Sequence, residues 1–342
     1  MRQEIAEQPD AVARVCDLEG TAIAALGRRL RRTPPDLVVL AARGTSDNAA
    51  LYGRYLIETV WGVPVSLAAP SVLTVYRARL RLRRALVIGL SQSGASPDIV
   101  EFLDAGRACG ARTIAVTNQE DSPLARAAHD TVLLHAGPER SVAATKTYTA
   151  QLTALSLLTA EAAANRRLLR AHGDLPRLLA GALGADDRVR TVAGRWRRIV
   201  ECVVTSRGYN YATAREAALK LKETCYVAAE PISAVDLVHG PIAVIARGFP
   251  VLIAAPPGRV LAGLASLAGR LRDRHAQTVI CSSDRTVLRL AALPVEVPAT
   301  PDERLSPHVY AIPMQLLAYH LARARGLDPD HPRGLRKITR AR

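Results

Sequence analysis

The chain has 342 residues and a formal net charge of +15, with 46 lysines and arginines against 31 aspartates and glutamates. This length allows two domains of ordinary size, each with its own core. No apolar run approaches the ~20 residues that cross a bilayer, the opening MRQEIAEQPD is unlike a signal peptide, and five dispersed cysteines favour free thiols. We therefore expect a cytoplasmic protein with no membrane partner.

The basic residues fall in clusters, a pattern that often indicates a nucleic-acid partner. The clusters span Arg28 to Arg32, Arg77 to Arg84, Arg195 to Arg198 and Arg333 to Arg342. Aromatic residues are not interleaved with them, and no helix-turn-helix fits before the first predicted strand. We therefore expect no nucleic-acid partner, and a solvated basic surface that suits an anionic small substrate.

The hydrophobic pattern alternates short Val, Ile and Leu runs with longer amphipathic stretches, which is typical of parallel sheets covered by helices. The first half predicts strands at Leu37–Ala41, Ala85–Leu90, Thr113–Val116 and Thr131–Leu134. A long helix, roughly Lys146 to Leu169, follows. The second half predicts strands near Cys202–Thr205, Pro250–Ala254, Thr278–Cys281 and Val295–Val297.

The two halves form a repeat. A shift of 164 residues places Arg43-Gly44 on Arg207-Gly208, and the Ser91 to Gly94 loop on Ala255-Pro256-Pro257-Gly258. We therefore expect an α/β protein of two tandem domains, each a doubly wound, flavodoxin-like parallel sheet flanked by helices. The predicted boundaries are 1–165 and 196–342, with a helical linker at 166–195.

The loop after the second predicted strand carries the hydroxyls of Ser91, Ser93 and Ser96. Ser96 followed by Pro97 predicts a helix start, with an N-cap hydroxyl and then proline at the first helical position. Backbone amides, hydroxyls and the positive end of a helix then meet at the carboxyl edge of a sheet, where a phosphate monoester fits. Thr45 and Ser46, after the first predicted strand, can add donors.

A second polar cluster is predicted on one helix of the second half. Glu216, Lys220 and Glu223 are spaced i, i+4 and i+7 and share a face, whereas Lys222 points elsewhere. Only four lysines occur against 42 arginines, and a lysine amine, unlike a guanidinium, can lose its proton and attack a carbonyl. This favours chemistry at the lysines, although Glu–Lys pairs also occur on solvated faces.

Taken together, these motifs resemble the sugar isomerase (SIS) domain family, most closely the isomerase half of glucosamine-6-phosphate synthase and its stand-alone relatives. The resemblance covers nearly the whole chain. Its motifs are Glu4 to Pro9, Arg43 to Ser46, Ser91 to Gly94, Val142 to Lys146, Glu216 to Glu223, His239-Gly240-Pro241, Pro313 to His320 and Asp330 to Lys337.

The resemblance also implies roles for individual residues. Glu223 is implied as the base that moves a proton between the first two sugar carbons, and His239, from the neighbouring subunit of a homodimer, as the group that opens the ring. Lys337 is implied as the amine that meets the ketose carbonyl, with Lys220 assisting proton traffic. The implied substrate-binding residues are Thr45, Ser46, Ser91, Gln92, Ser93, Ser96, Val142 and Glu216, and Arg43 adds a cation near the sugar. No metal or organic cofactor is expected.

Two departures from the synthase shape the expected reaction. The chain begins where the isomerase half would begin, so glutamine is not expected as the nitrogen source, and Ala95-Ser96-Pro97-Asp98 is closer to stand-alone deaminases. We expect conversion of glucosamine 6-phosphate and water to fructose 6-phosphate and ammonia, with a phosphorylated amino sugar or ketose as ligand. The alternatives are a fructosamine-phosphate deglycase, an isomerase without amine loss, and a non-catalytic sugar-phosphate sensor.

Overall fold

A computed structural model gives the fold, and the structure describes residues 1–337. The end of the predicted basic tail and of the predicted second domain, 338–342, lies outside the described residues. The elements of the first half are α1 (Arg2–Ala6), α2 (Gln8–Arg32), β1 (Leu37–Ala41), α3 (Thr45–Leu56), β2 (Val65–Leu67), α4 (Ser71–Thr74), β3 (Ala85–Ser91), α5 (Pro97–Ala108), β4 (Arg112–Thr117), α6 (Pro123–Ala127), β5 (Asp130–Leu133) and α7 (Lys146–Ala162).

Three helices then precede the second sheet. The remaining elements are α8 (Arg166–Ala171), α9 (Leu175–Leu183), α10 (Asp186–Trp196), β6 (Glu201–Ser206), α11 (Tyr211–Cys225), β7 (Ala228–Ser233), α12 (Ala234–Val238), β8 (Pro250–Ala254), α13 (Leu261–Asp273), β9 (Gln277–Ser282), α14 (Arg285–Leu288), β10 (Leu293–Glu296) and α15 (Ser306–Ala324). No helix among the described residues has the length and apolar character that crossing a membrane requires.

Each half contains a parallel five-stranded sheet. The first has the order β2-β1-β3-β4-β5 and the second the order β7-β6-β8-β9-β10, so the two halves place equivalent strands at equivalent positions. In the first sheet Val38 of β1 lies opposite Val65 of β2 and Leu86 of β3. The common order confirms the predicted repeat and the doubly wound, flavodoxin-like α/β fold.

Both sheets are covered by helices that repeat the same spacing of apolar residues. In α5 the buried positions Ile99, Phe102, Leu103 and Gly106 follow the i, i+3, i+4, i+7 pattern of one helical face. In α13 the buried positions Leu264, Leu267, Ala268 and Leu271 follow the same pattern. Each face packs on its own sheet in a continuous apolar cluster, which explains why the central strands read as unbroken Val, Ile and Leu runs.

The structure departs from the predicted elements in three places. Strands β2 and β7 were not predicted, because β2 has three residues and β7 contains Pro231 and several polar or exposed positions. The long helix predicted from Lys146 to Leu169 is two helices. It breaks at Ala164, which has a φ of +52°, and Asn165 caps α8 by accepting the N–H of Leu168.

The described chain divides into two compact units. The first-sheet unit comprises Asp10–Glu139, Lys146–Gly173 and the described residues Arg336 and Lys337, and the second-sheet unit comprises Met1–Pro9, Arg140–Thr145 and Asp174–Leu335. Each unit is therefore assembled from separated segments, whereas the predicted domains 1–165 and 196–342 are contiguous. The boundaries proposed from the sequence stay a prediction.

Candidate functional site

The serine-rich loop lies between β3 and α5, at the carboxyl edge of the first sheet. Ser91 Oγ accepts the N–H of Gly94 at 3.1 Å, and Ser93 Oγ accepts the N–H of Ala95 at 3.3 Å. Gly94 has a φ of +61°, and a Cβ there would lie 2.2 Å from Ser122 Oγ. Only glycine therefore fits this turn, which folds the hydroxyls of the loop into a compact group.

Ser96 occupies the N-cap position of α5, and Pro97 is the first helical residue, as predicted. The predicted capping hydrogen bond is not formed by the Ser96 side chain. Its Oγ lies instead 3.3 Å from Ser91 Oγ. The hydroxyl therefore faces the loop at the positive end of α5, where an oxyanion is stabilised.

The loop after β1 lies beside the serine-rich loop because β1 and β3 are adjacent strands. Ser46, at the start of α3, is buried, and its Oγ accepts a hydrogen bond from Gln151 of α7 at 2.8 Å. Arg43 Nε donates to Asp98 Oδ2 at 2.7 Å. The Asp98 carboxylate therefore offsets the charge of Arg43, and the role of Arg43 near the sugar stays a prediction.

The equivalent loop of the second half holds a carboxylate. Gly258 and Arg259 are the counterparts of Gly94 and Ala95 in the repeat, and the Arg259 N–H donates to Glu303 Oε2 at 2.8 Å. A Cβ built on Gly258 would lie 1.9 Å from the same Glu303 oxygen. In the second half a backbone N–H thus meets an oxyanion at this position, whereas the equivalent Ala95 N–H of the first half donates to Ser93 Oγ.

The predicted acid–lysine cluster forms on α11 in the second-sheet unit. Lys220 Nζ lies 2.6 Å from Glu223 Oε2 and 3.5 Å from Glu216 Oε1. The side chains of Lys220 and Glu216 are 1% and 2% exposed, whereas that of Glu223 is 25% exposed. Lys222 is exposed, as predicted. Glu223 is thus a carboxylate that solvent reaches, held by a buried cation on a rigid helix.

His239 and Val142 also belong to the second-sheet unit. His239 follows α12 and is exposed. Val142 is partly buried, and its N–H donates to the carbonyl of Asp330 at 3.3 Å. The structure brings neither residue together with the cluster on α11 through a side-chain hydrogen bond among the described residues. Their roles stay predictions.

Lys337 belongs to the first-sheet unit, with Thr45, Ser46 and the serine-rich loop. Its Nζ lies 3.4 Å from Glu139 Oε2. Sequence reasoning missed Glu139, Asp98 and Gln151, the polar partners of three predicted site residues. Gln151 could have been noticed in the sequence, because it is an amide in a helix of mostly apolar and hydroxyl-bearing residues. Asp98 could not, because an acid in the first turn of a helix is ordinary.

The buried cysteines are poorly suited to act as nucleophiles. Burial raises the pKa of both Cys202 and Cys281 to about 12, and burial likewise raises the pKa of Cys16 to about 11. Because the thiolate is the nucleophilic form, these thiols are inert at neutral pH. Cys16, Cys202 and Cys281 are therefore poor candidates for a catalytic role.

A cavity of about 780 Å³ lies at the opposite, amino-terminal edge of the first sheet. Several arginines line it, among them Arg29, Arg84 and Arg112. Asp130 pairs with Arg29 and Arg112, and Asp36 pairs with Arg84. The cavity contains none of the predicted site residues, and these ion pairs account for much of its charge.

Comparison with known proteins identifies relatives over most of the chain. A family model described as SIS domain matches residues 35–161 and 197–325. The glutamine--fructose-6-phosphate aminotransferase (isomerizing) of Pyrococcus horikoshii is 36% identical over 307 residues, which are 88% of this chain and 51% of that protein. The chain spans about half the length of the curated relatives it matches.

Solved structures resemble the chain over nearly its whole length. One, from Silicibacter pomeroyi DSS-3 and provisionally named a phosphosugar isomerase, is 36% identical with a TM-score of 0.88, and the match covers 96% of this chain and 99% of that one. Another is the C-terminal domain of glucosamine-fructose-6-phosphate aminotransferase from Francisella tularensis. It is 27% identical with a TM-score of 0.88, covering 97% of this chain and 98% of that one.

Proposed function

Because this chain belongs to the SIS domain family, we propose that it is an amino-sugar-phosphate isomerase and deaminase. It converts glucosamine 6-phosphate and water to fructose 6-phosphate and ammonia. The single observation that carries the proposal is the Glu223–Lys220 pair of 2.6 Å, in which a carboxylate that solvent reaches is fixed by a buried amine. Such an arrangement suits a general base, which has to reach the substrate from a rigid element.

The phosphate is assigned to the loops at the carboxyl edge of the first sheet. Ser91, Ser93 and Ser96 supply hydroxyls, Gln92 an amide, and the first turn of α5 its positive end. Thr45 and Ser46 extend the set of donors from the neighbouring loop. The Arg43–Asp98 pair contributes no net charge, so hydroxyls, amides and the helix dipole supply the attraction for the phosphate.

Proton transfer is assigned to Glu223. After His239 opens the ring, the Glu223 carboxylate takes the proton from carbon 2 of the aldehyde form and an enolamine results. Return of the proton to carbon 1 leaves an imine at carbon 2. Water adds to that carbon, the carbon–nitrogen bond breaks, and fructose 6-phosphate and ammonia leave. The steps are proton transfers and the hydrolysis of an imine, and we propose no metal or organic cofactor for them.

The test is ammonia release by the purified chain from a panel of amino-sugar and fructosamine phosphates, with glutamine as the control. We expect ammonia and fructose 6-phosphate from glucosamine 6-phosphate, and no ammonia from glutamine. Release from fructosamine phosphates alone would replace this proposal with a deglycase. Binding of the sugar phosphates without turnover of any would replace it with a sensor.

A second candidate is isomerisation coupled to amine gain. The relative from Pyrococcus horikoshii is named an isomerizing aminotransferase, and its 36% identity over 88% of this chain favours this candidate. The same assay run in reverse, with fructose 6-phosphate and either ammonia or glutamine, separates the two. Glucosamine 6-phosphate formed with glutamine by this chain alone would overturn the deaminase proposal.

The proposed active form is a homodimer in which His239 serves the partner's site. His239 is exposed, and so is the apolar Val244 five residues further along, at 59%. Both side chains are therefore accessible to a second copy of the chain.

This proposal predicts complementation between two inactive variants. A heterodimer of a His239→Asn chain and a Glu223→Gln chain, co-expressed with different affinity tags, rebuilds one intact site of two. We therefore expect about half of the wild-type activity from the purified heterodimer. Each homodimeric variant serves as the control, and a heterodimer as inactive as both controls would place His239 and Glu223 of one site on the same chain.

A further inference from the structure

Glu139 is a carboxylate enclosed by the first-sheet unit. Its side chain is 0% exposed. Oε2 accepts the hydroxyl of Thr147 at 2.6 Å, and Oε1 accepts the Thr147 N–H at 3.2 Å. A buried carboxylate is costly unless hydrogen bonds and a cation compensate it. These two bonds also fix the carboxylate plane at the first turn of α7, where a negative charge is favoured.

The loop that delivers Glu139 is itself held in place. Asn118 Oδ1 accepts the N–H of Ala136 at 2.9 Å, and Asn118 Nδ2 donates to the carbonyl of Gly137 at 2.9 Å. Arg14 Nε donates to the carbonyl of His135 at 2.7 Å. Residues 135–137 are therefore each hydrogen-bonded to the rest of the first-sheet unit, and this holds the following residue pair Pro138-Glu139 in place.

Lys337 lies against this carboxylate. Its Nζ is 3.4 Å from Glu139 Oε2, and its side chain is 25% exposed. Residues 335–337 belong to no helix or strand, so local hydrogen bonding does not fix the direction of the Lys337 side chain. A fixed, buried carboxylate can do so, because it attracts the ammonium and offers it an acceptor.

We propose that Glu139 is a positioning residue, which docks the Lys337 amine on the first-sheet unit. Its contribution to turnover rests on the proposed function, in which Lys337 meets the sugar carbonyl. Docking itself is independent of any reaction. Holding the amine restricts its motion before the substrate arrives, and misplacement of a reacting group by about 1 Å can cost about 10²-fold in rate.

The first test measures docking without substrate. The protein is treated with a limiting amount of acetic anhydride, and acetylation of Lys337 and of the exposed Lys222 is compared by peptide mass spectrometry. In the wild-type protein we expect Lys337 to react severalfold more slowly than Lys222. Glu139→Gln keeps the shape of the side chain and removes its charge, and we expect it to raise the Lys337 to Lys222 ratio severalfold.

The matched control is Glu120→Gln, which removes the charge of an exposed glutamate in the same unit. It should leave the ratio unchanged. Glu139→Asp retains the charge but moves it away from Lys337 by the length of one methylene, so it should also raise the Lys337 to Lys222 ratio. This variant replaces Glu139→Gln in the test if Glu139→Gln does not fold. An unchanged ratio in a folded Glu139 variant, checked by circular dichroism, would overturn the docking.

The second test uses turnover. We expect Glu139→Gln to lower kcat about 10- to 100-fold, with little change in KM because the phosphate loops are intact. In a Lys337→Met background the same substitution should have no further effect, since the group it positions is gone. A full additional loss in that background would overturn the positioning role. If the wild-type protein shows no turnover, the proposed function is contradicted, and the acetylation test still decides whether Glu139 docks Lys337.

Discussion

Glu223→Gln is expected to lower kcat for ammonia release about 10²–10⁴-fold, the usual cost of removing a general base. Glutamine preserves the shape of the side chain and can still accept a hydrogen bond from Lys220, which lies 2.6 Å from Glu223. It cannot take the proton from carbon 2. Steady-state kinetics with glucosamine 6-phosphate measures the loss, and KM should change little because phosphate binding is assigned to the serine-rich loop and not to Glu223.

Ser93→Ala is the comparison for this prediction. Ser93 belongs to the serine-rich loop, so its loss should raise KM and affect kcat less than Glu223→Gln does. A loss mainly in kcat for Glu223→Gln and mainly in KM for Ser93→Ala would separate proton transfer from phosphate binding. Wild-type kcat in Glu223→Gln would mean that another residue is the base.

Lys220→Met is expected to lower the free energy of unfolding by about 3–5 kcal/mol, because it leaves the buried Glu216 carboxylate without its cation. Lys220 and Glu216 are the two least exposed members of the cluster on α11, so water cannot replace the lost partner. Urea denaturation followed by circular dichroism measures the change.

Lys222→Met provides a matched control on the same helix. Lys222 is exposed, and the same substitution there should change the free energy of unfolding by no more than about 0.5 kcal/mol. Combining Lys220→Met with Glu216→Gln removes the stranded charge and should recover part of the stability. Equal denaturation curves for Lys220→Met and the wild-type protein would contradict the account of α11 as a buried ion-pair cluster.

The sequence predicted the sheets well because their strands are buried on both faces. Strands β1 and β8 have the bounds expected from their apolar runs, and the other six predicted strands differ by at most two residues at either end. Strand β2, with three residues, gave no comparable signal. The alternation of apolar runs with amphipathic helices, repeated at a nearly constant offset, was enough to predict that the two halves repeat one α/β fold.

The candidate site was predictable where one local motif carries it. The serine-rich loop and the i, i+4, i+7 face of α11 are each contained within eight residues, so spacing predicted which side chains group together, and the resemblance supplied their roles. Glu139 could not be predicted as the partner of Lys337, because 198 residues separate them along the chain. Asp98 likewise meets Arg43 across 55 residues, and only the fold brings such acids and bases together.

The Glu303 carboxylate distinguishes the second loop from the equivalent loop of the first half. Duplication gave the chain two equivalent loops at the carboxyl edges of two sheets, and in the second the Arg259 N–H is already satisfied by an oxygen from the chain itself. This carboxylate occupies the position at which an external anion would accept the Arg259 N–H. In the second half the loop Ala255-Pro256-Pro257-Gly258 carries no hydroxyl, and α11 carries the acid–lysine cluster that the first half lacks. An external anion would have to displace the Glu303 carboxylate to reach the Arg259 N–H, so the second loop contains its own competitor for anions.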